Sequence, residues 1–262
     1  MTTVDLTVVV TAHSETLVAG PTMRSAEAAI RDAEAAGLRV ERLIGLDAPS
    51  MDCRTFFSQR AFAAWKISEF ELCDQGAARN ALAKIAAGRW IAFLDADDLF
   101  SENWLVRAAE RLAQAERAGD KVIVHPEINW IFDSAEFVFA KPAQDDPIFT
   151  PYYFYVTTYY DALGMAPRES HIDTPYAPRD IAAGFAYEDW QWNVETMAAG
   201  WRHVIAKDTI VFKRLRDTSQ GVQSRQRKTL IRDIEPMAID RIMDLGRGFG
   251  VLKSLHTTSV ST

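Results

Sequence analysis

"GAARNALAKIAAGRWIAFLDADD", residues 76–98, decides the fold. Its first half places Ala78, Leu82, Ile85 and Ala86 on one helical stripe, and Gly88 is expected to close that helix. The run "RWIAFLD" then reads as a strand buried on both faces. It ends in Asp95, Asp97 and Asp98. Carboxylates packed this closely repel one another, so the cluster implies a shared positive partner.

Working outward, the same alternation recurs. "LTVVVTA" (6–12) is a β-branched run suited to a first buried strand, and "MRSAEAAIRDAEAAG" (23–37) is a helix with Gly37 in the stop position. "RVERLIGLD" (39–47) gives a second strand ending at Asp47. Downstream, "SENWLVRAAERLAQAERAG" (101–119) is amphipathic, with Ser101 as its expected N-cap and Glu102 in its first turn. "KVIVH" and "EFVFA" are further strands. Strands alternating with crossover helices predict an α/β fold with a mainly parallel central sheet flanked by helices. Ligands in such sheets sit beyond the carboxyl ends of the strands. His13 to Glu15, Asp47, and Asp95 to Asp98 all fall there.

The bulk composition narrows the function. The 262 residues are 48% apolar and 25% charged, a soluble globular profile long enough for a substantial core. A formal charge of −7 argues against nucleic acid as a partner. Cys53 and Cys73 form neither a disulfide framework nor a metal-type pair, which suits a reducing, cytoplasmic setting. No signal peptide and no membrane-spanning run is expected, while peripheral contact with the inner face of a membrane stays open.

The acidic cluster has three readings. It is a solvated turn that caps the next helix, an EF-hand loop, or a platform for Mg²⁺ or Mn²⁺ that also holds a diphosphate. An EF-hand needs glycine at the sixth position, where Phe100 stands. Hard divalent cations prefer oxygen ligands and leave positions open for phosphate, which favours the platform.

The quoted stretch resembles the segment of family 2 glycosyltransferases written G-x-x-x-A-R-N, A-x-G, a strand and Asp-x-Asp. Ala78, Arg79 and Asn80 stand at A-R-N, Gly88 at the glycine, and Asp95 and Asp97 at the two aspartates. "VVVTAHSE" is similar to the family's first strand and donor loop, and "GFAYEDWQWNVETMAAGWRHVIAKDTIVFKR" to its Glu-Asp-Trp segment. The resemblance implies a GT-A fold, a nucleotide-sugar donor (UDP- or dTDP-sugar), a divalent metal, and inversion at the sugar. Carried over residue by residue, it makes Asp189 the catalytic base. Asp97 and Asp95 become metal ligands. Thr11, His13, Glu15, Asp47, Arg79, Asp95 and Arg214 become donor contacts. The acceptor, a saccharide or a lipid-linked saccharide in surface polysaccharide synthesis, would meet Glu188, Trp192 and Tyr153.

The residues themselves leave alternatives open. Trp190, Val194, Met197 and Trp201 share a core stripe, so Glu188 and Asp189 fall in a first turn whose dipole favours ionised carboxylates. Trp192 lies off that stripe, at the acceptor site or on an ordinary surface. Arg79 is a donor contact or a structural ion pair. "PYYFYVTTYY" (151–160) is an acceptor platform or a buried alternating strand. Where relatives show His-Phe-Tyr-Arg this chain has Val211, Phe212, Lys213 and Arg214, so the third metal ligand is missing. Lys213, Arg214 and Arg216 are then candidates for charge compensation. His203 reads as structural. Rival functions are a retaining transferase, a sugar-phosphate nucleotidyltransferase and a catalytically silent carbohydrate-binding or assembly module.

One transferase domain is expected over residues 1–220, with a nucleotide half (1–125) and an acceptor half (126–220). A helical extension is expected over 221–262, patterned by Ile234, Met237, Ile242 and Leu245, with fraying beyond His256.

Overall fold

The computed structural model describes residues 3–217 and 219–246. In chain order the strands are β1 (Leu6–Ala12), β2 (Val40–Asp47), β3 (Lys66–Phe70), β4 (Trp90–Asp95), β5 (Leu99–Phe100), β6 (Val122–Asp133), β7 (Phe137–Ala140), β8 (Met165–Pro167) and β9 (Arg202–Leu215). The helices are α1 (Thr16–Ala35), α2 (Met51–Phe57), α3 (Gln75–Ile85), α4 (Trp104–Ala118), α5 (Arg168–Asp173), α6 (Glu188–Ala198) and α7 (Gln220–Gln226).

One sheet runs β3-β2-β1-β4-β8-β6-β9-β5, with β7 on the flank of β6. The first four strands are parallel, as are β6 and β9, while β8 joins β4 and β6 antiparallel. Strand β1 shows why the sheet needs two covering layers. Leu6, Val8 and Val10 pack with α1 and α4, whereas Val9 packs with Leu82 and Ala83 of α3. Each such side chain contributes about 1.5–3 kcal/mol by leaving water.

Glycine sets the closeness of these layers. A Cβ at Gly45 of β2 would lie 2.4 Å from Leu82 Cδ1, so α3 sits directly on that strand. Gly88 does not close α3, which ends at Ile85. It lies flat on β1, where a Cβ would come 2.4 Å from the Thr7 nitrogen. Gly37, at φ +92°, is the stop expected of α1.

Further sequence expectations shift. Helix α1 begins at Thr16, seven residues before the expected Met23, and carries Pro21 within it at the loss of one backbone bond. Helix α4 begins at Trp104 rather than at a Ser101 cap. Ser101 Oγ instead accepts the Ile210 amide, and Asn103 donates to the Asp208 carbonyl, tying this turn to β9. Strand β3 and helix α2 were not foreseen. Ile85, expected on the buried stripe of α3, is exposed.

The aromatic stretch is a 3-10 turn (Pro151–Tyr155) rather than a strand. Phe154, Tyr159 and Tyr160 build a second core with Trp190, Val194 and Met197. In the expected C-terminal extension, α7 is followed by 3-10 turns at Glu235–Met237 and Ile242–Gly246. Its remainder, including His256, lies outside the described residues. Among the described residues no helix is long and apolar enough to cross a membrane.

Beneath the second core lies a buried histidine pair. His125 Nε2 is 2.9 Å from His203 Nδ1, and His203 Nε2 is 3.0 Å from Thr196 Oγ1. Thr196 donates its one proton to the Trp192 carbonyl at 2.7 Å, so His203 donates to Thr196 and accepts from His125. Burial pushes the His203 imidazole down to about 3, and burial together with His203 holds His125 well below its usual value. An unfolded histidine takes up a proton below about pH 6.5. The stabilisation from these neutral rings is therefore full above that pH and is lost as the pH falls toward the folded values. Urea titrations of the wild type and His203→Gln should show the difference between them narrowing below pH 6.5, by about 1.4 kcal/mol per pH unit. A difference independent of pH would contradict this assignment.

Candidate active site

The parallel strands end along one edge, and the loops beyond them hold the acidic cluster. Asp95 closes β4, and its Oδ1 accepts from Thr11 Oγ1 (2.8 Å), Gln75 Nε2 (2.9 Å) and Arg79 Nη2 (2.8 Å). Burial alone would raise the Asp95 carboxyl, but the Arg79 and Lys213 charges and these bonds hold it below the usual range. Arg79 reaches this point because α3 starts close by. Asp74 caps α3 by accepting the Ala77 amide at 2.8 Å, and its other oxygen accepts the Arg179 amide at 2.9 Å.

Asp97 and Asp98 diverge from the turn after β4. Asp97 is half-buried and lies 2.7 Å from Arg216 Nη2. Burial, then the charge of Asp95, raises its carboxyl despite that arginine. Asp98 is fully buried, accepts the Arg214 amide at 2.7 Å and lies 3.5 Å from Lys213 Nζ. Burial and the neighbouring aspartates outweigh Lys213 and raise it to about 7.

Behind these residues is a group that the sequence reading missed. Asp161 lies 3.4 Å from Lys141 Nζ and 3.7 Å from Lys213 Nζ, and it accepts Asn129 Nδ2 (2.6 Å) and the Leu163 amide (2.9 Å). Burial opposes its ionisation, yet the two lysines hold it well below the carboxylate range. Gln75 was missed as well. Its place directly before Gly76, at the start of α3, was the one local signal.

Helix α6 brings the second acidic pair. Tyr187 precedes it at φ +68°, a left-handed conformation rare outside glycine that turns the chain sharply into the helix. Glu188 is buried, 3.9 Å from Arg79 Nη1, and burial with the adjacent Asp189 raises it to about 7. Gly76 admits it: a Cβ there would lie 3.0 Å from Glu188 Cγ. Asp189 is half-buried, accepts the Trp190 amide at 2.8 Å and, among the described residues, makes no ion pair. Its carboxyl is raised by burial, against the pull of Arg79. Arg79 thus links the two acidic sites from beneath.

Several expected contacts have other structural work. Arg79 is 3% exposed and spans Asp95 and Glu188, so it is a buried ion pair and not a surface that meets a donor. Arg214 sends its side chain to Asp133 at 2.5 Å, so Lys213 and Arg216, not Arg214, join Arg79 at the acidic cluster. Asp47 accepts the amides of Leu72, Cys73 and Asp74, which fixes the loop between β3 and α3. His13 Nδ1 lies 2.7 Å from the Asp47 carbonyl, and Glu15 accepts the His13 and Ser14 amides. Thr11 is bonded to Asp95. Trp192 is 2% exposed and stacks on both His171 and Tyr176, which also stack on each other, with Nε1 donating to the Thr174 carbonyl; that burial removes it from an acceptor surface. Glu188 is buried against Arg79, which likewise removes it. Tyr153 stacks on Tyr159 at 4.3 Å and packs against the second core.

The donor set suits a cation that arrives with phosphate. Among the described residues no group of three or more His, Cys, Asp or Glu side chains is arranged to hold a metal. Val211 is buried at 0% exposure and offers no ligand. Asp97 and the second oxygen of Asp95 supply hard oxygen atoms, and Mg²⁺ commonly takes one or two carboxylates with substrate phosphates completing its shell. Asp97 and Asp95 would hold a divalent ion here, with substrate oxygens needed to complete its shell.

Known proteins share this fold. The profile described as Glycosyl transferase family 2 matches residues 69–159, from β3 through β4 to the aromatic stretch. TarS 1-349 of S. aureus, solved with UDP-GlcNAc, superposes with a TM-score of 0.58 at 14% identity, over 82% of this chain and 60% of that one. The mannosyltransferase PcManGT from Pyrobaculum calidifontis, solved with GDP-Man and Mn²⁺, gives 0.58 at 15% identity, over 87% and 61%. The chain thus spans about 60% of the length of these structures. At such identity the likeness establishes the fold, a GT-A architecture. No curated protein sequence matches significantly.

Proposed function

We propose that the chain, whose residues 69–159 match the glycosyl transferase family 2 profile, moves a sugar from a nucleoside-diphosphate donor to a hydroxyl acceptor with inversion. The donor is a UDP- or dTDP-sugar. The acceptor is a saccharide or lipid-linked saccharide, in surface polysaccharide synthesis at the cytoplasmic face of a membrane. One observation carries the reading: Asp189, a half-buried carboxylate that among the described residues makes no ion pair, stands at the head of α6 beside Glu188, whose partner Arg79 also holds Asp95.

In this reading Asp189 accepts the proton of the acceptor hydroxyl as that oxygen bonds to the anomeric carbon. The bond from that carbon to the diphosphate oxygen breaks, and the nucleoside diphosphate leaves with the electron pair. Burial raises the Asp189 carboxyl, and a raised carboxylate is a better base, which suits the task. Arg79 keeps Asp95 ionised and in place, and Gln75 and Thr11 fix its orientation. Asp97 and Asp95 would hold a divalent ion, Mg²⁺ or Mn²⁺, which would supply charge neutralisation of the leaving diphosphate. The complexes of TarS with UDP-GlcNAc and of the mannosyltransferase with GDP-Man and Mn²⁺ support a donor of this class.

Thermal unfolding with a panel of nucleotide-sugars, with and without Mn²⁺, tests the donor. At about a hundredfold excess over Kd a true donor adds about 2.7 kcal/mol of stability. Asp97→Ala should lose the Mn²⁺-dependent part of that gain while unfolding at an unchanged temperature without ligand. No stabilisation by any nucleotide-sugar would remove the donor site. The anomeric configuration of the product, read by NMR, tests inversion; a retained configuration would take the base role from Asp189.

A further inference from the structure

We propose that the Lys213 ammonium is a resident cation of the donor site, set among its carboxylates to neutralise a donor diphosphate, so that nucleotide binding persists without a divalent ion. This rests on the transferase reading above.

The argument begins with position. Lys213 lies near the end of β9, in register with Ile131 of β6, and its Nζ stands 3.5 Å from Asp98 and 3.7 Å from Asp161. Its charge acts on Asp95, Asp97, Asp98, Asp161 and Asp189 alike. Its neighbours are more restricted. Arg79 acts on Asp95 and on the α6 pair, and Arg216 on Asp97. Arg79 and Lys213 are thus the cations that act on both acidic groups. Arg79 is closed off from any ligand, whereas Lys213 keeps 25% of its side-chain surface exposed.

The ammonium is also held, unlike that of a solvated surface lysine. Asp161 is fixed by Lys141, whose side chain is fully buried, by the Asn129 amide and by the Leu163 backbone. Asp98 is fixed by the Arg214 amide. These two anchored carboxylates pin one ammonium between them. Ordering a long, flexible lysine side chain costs up to about 2 kcal/mol of entropy, and here the fold has already met that cost before a ligand arrives. Val211, two residues earlier on the same strand face, offers no metal ligand, so the fold places fixed charge where ligand atoms for an ion are few.

A monovalent ammonium neutralises less than a divalent ion, so Mn²⁺ should still tighten binding. Isothermal titration of UDP and dTDP in EDTA and in Mn²⁺ tests the proposal on the wild type, Lys213→Met and Lys213→Arg. The wild type is expected to bind one nucleotide measurably in EDTA. Lys213→Met should lose about 10- to 100-fold of that affinity, the scale of a charge-assisted hydrogen bond, and retain a Mn²⁺-dependent component. Lys213→Arg should restore most of the loss. If the methionine variant does not fold, Lys213→Gln, which keeps a donor toward Asp161, takes its place. Wild-type binding that needs Mn²⁺ outright would overturn the proposal and leave the transferase reading standing. EDTA-resistant binding indifferent to Lys213 would also overturn it. Binding in neither buffer would defeat both.

Discussion

Asp189→Asn should reduce turnover by roughly 10²-fold or more while leaving nucleotide affinity unchanged. The amide is nearly isosteric and its oxygen still accepts the Trp190 amide, so α6 keeps its first turn. What disappears is the capacity to take a proton. Removing one negative charge from a crowded acidic site should not weaken the donor, whose diphosphate is itself negative. Initial rates with saturating donor, measured beside a nucleotide titration of the same preparation, separate the two effects. Near-full turnover would exclude Asp189 from the chemistry, and a parallel loss of affinity would make it a binding residue instead. Glu188 cannot take its place without rearrangement, because it is buried against Arg79.

Arg79→Ala should cost about 3–5 kcal/mol of folding stability, the usual penalty for removing one partner of a buried ionic group. Arg79 is 3% exposed, lies 2.8 Å from Asp95 and 3.9 Å from Glu188, and its guanidinium stands about 6 Å from the rings of Phe93 and Tyr176. Its loss leaves two desolvated carboxylates facing a cavity. Arg79→Lys should recover only part, since a single ammonium does not reproduce a planar fork spanning both sites. The pH dependence has a definite sign. Without the arginine, the folded-state carboxyl of Glu188 rises further above its unfolded value, and that of Asp95 loses the main charge that holds it below. The protonated forms are then favoured in the folded protein, and the penalty shrinks as the pH falls. Urea midpoints should show a larger gap to wild type at pH 8 than at pH 5. A loss below about 1 kcal/mol would mean that water reaches these carboxylates.

The nucleotide half was legible because its signals are local. A continuous apolar run buried on both faces, then a glycine, then a helix with small residues on one face can be read within a short window, as in β1, β2, α3 and β4. Gly88 shows the limit: its glycine was visible, but its reason, the backbone of Thr7 across the sheet, was not. The other half depends on distant partners. Trp192 looked surplus to a single core stripe, yet α6 is enclosed on several sides and buries Gln191, Asn193 and Thr196 as well. The stack of His171 and Tyr176 that covers Trp192 comes from a segment without periodicity. Asp161 and Lys141 carry no motif, and only the fold brings them to Lys213. Asp47 sits at the expected strand end, but its three backbone partners come from a loop after a strand that the sequence did not announce.

A crystal grown with an intact nucleotide-sugar and Mn²⁺ tests the central claim most directly. The account predicts the diphosphate against Asp97 and Lys213, with the anomeric carbon turned toward Asp189. Density for the nucleotide at any other surface, or a sugar facing away from α6, would contradict it.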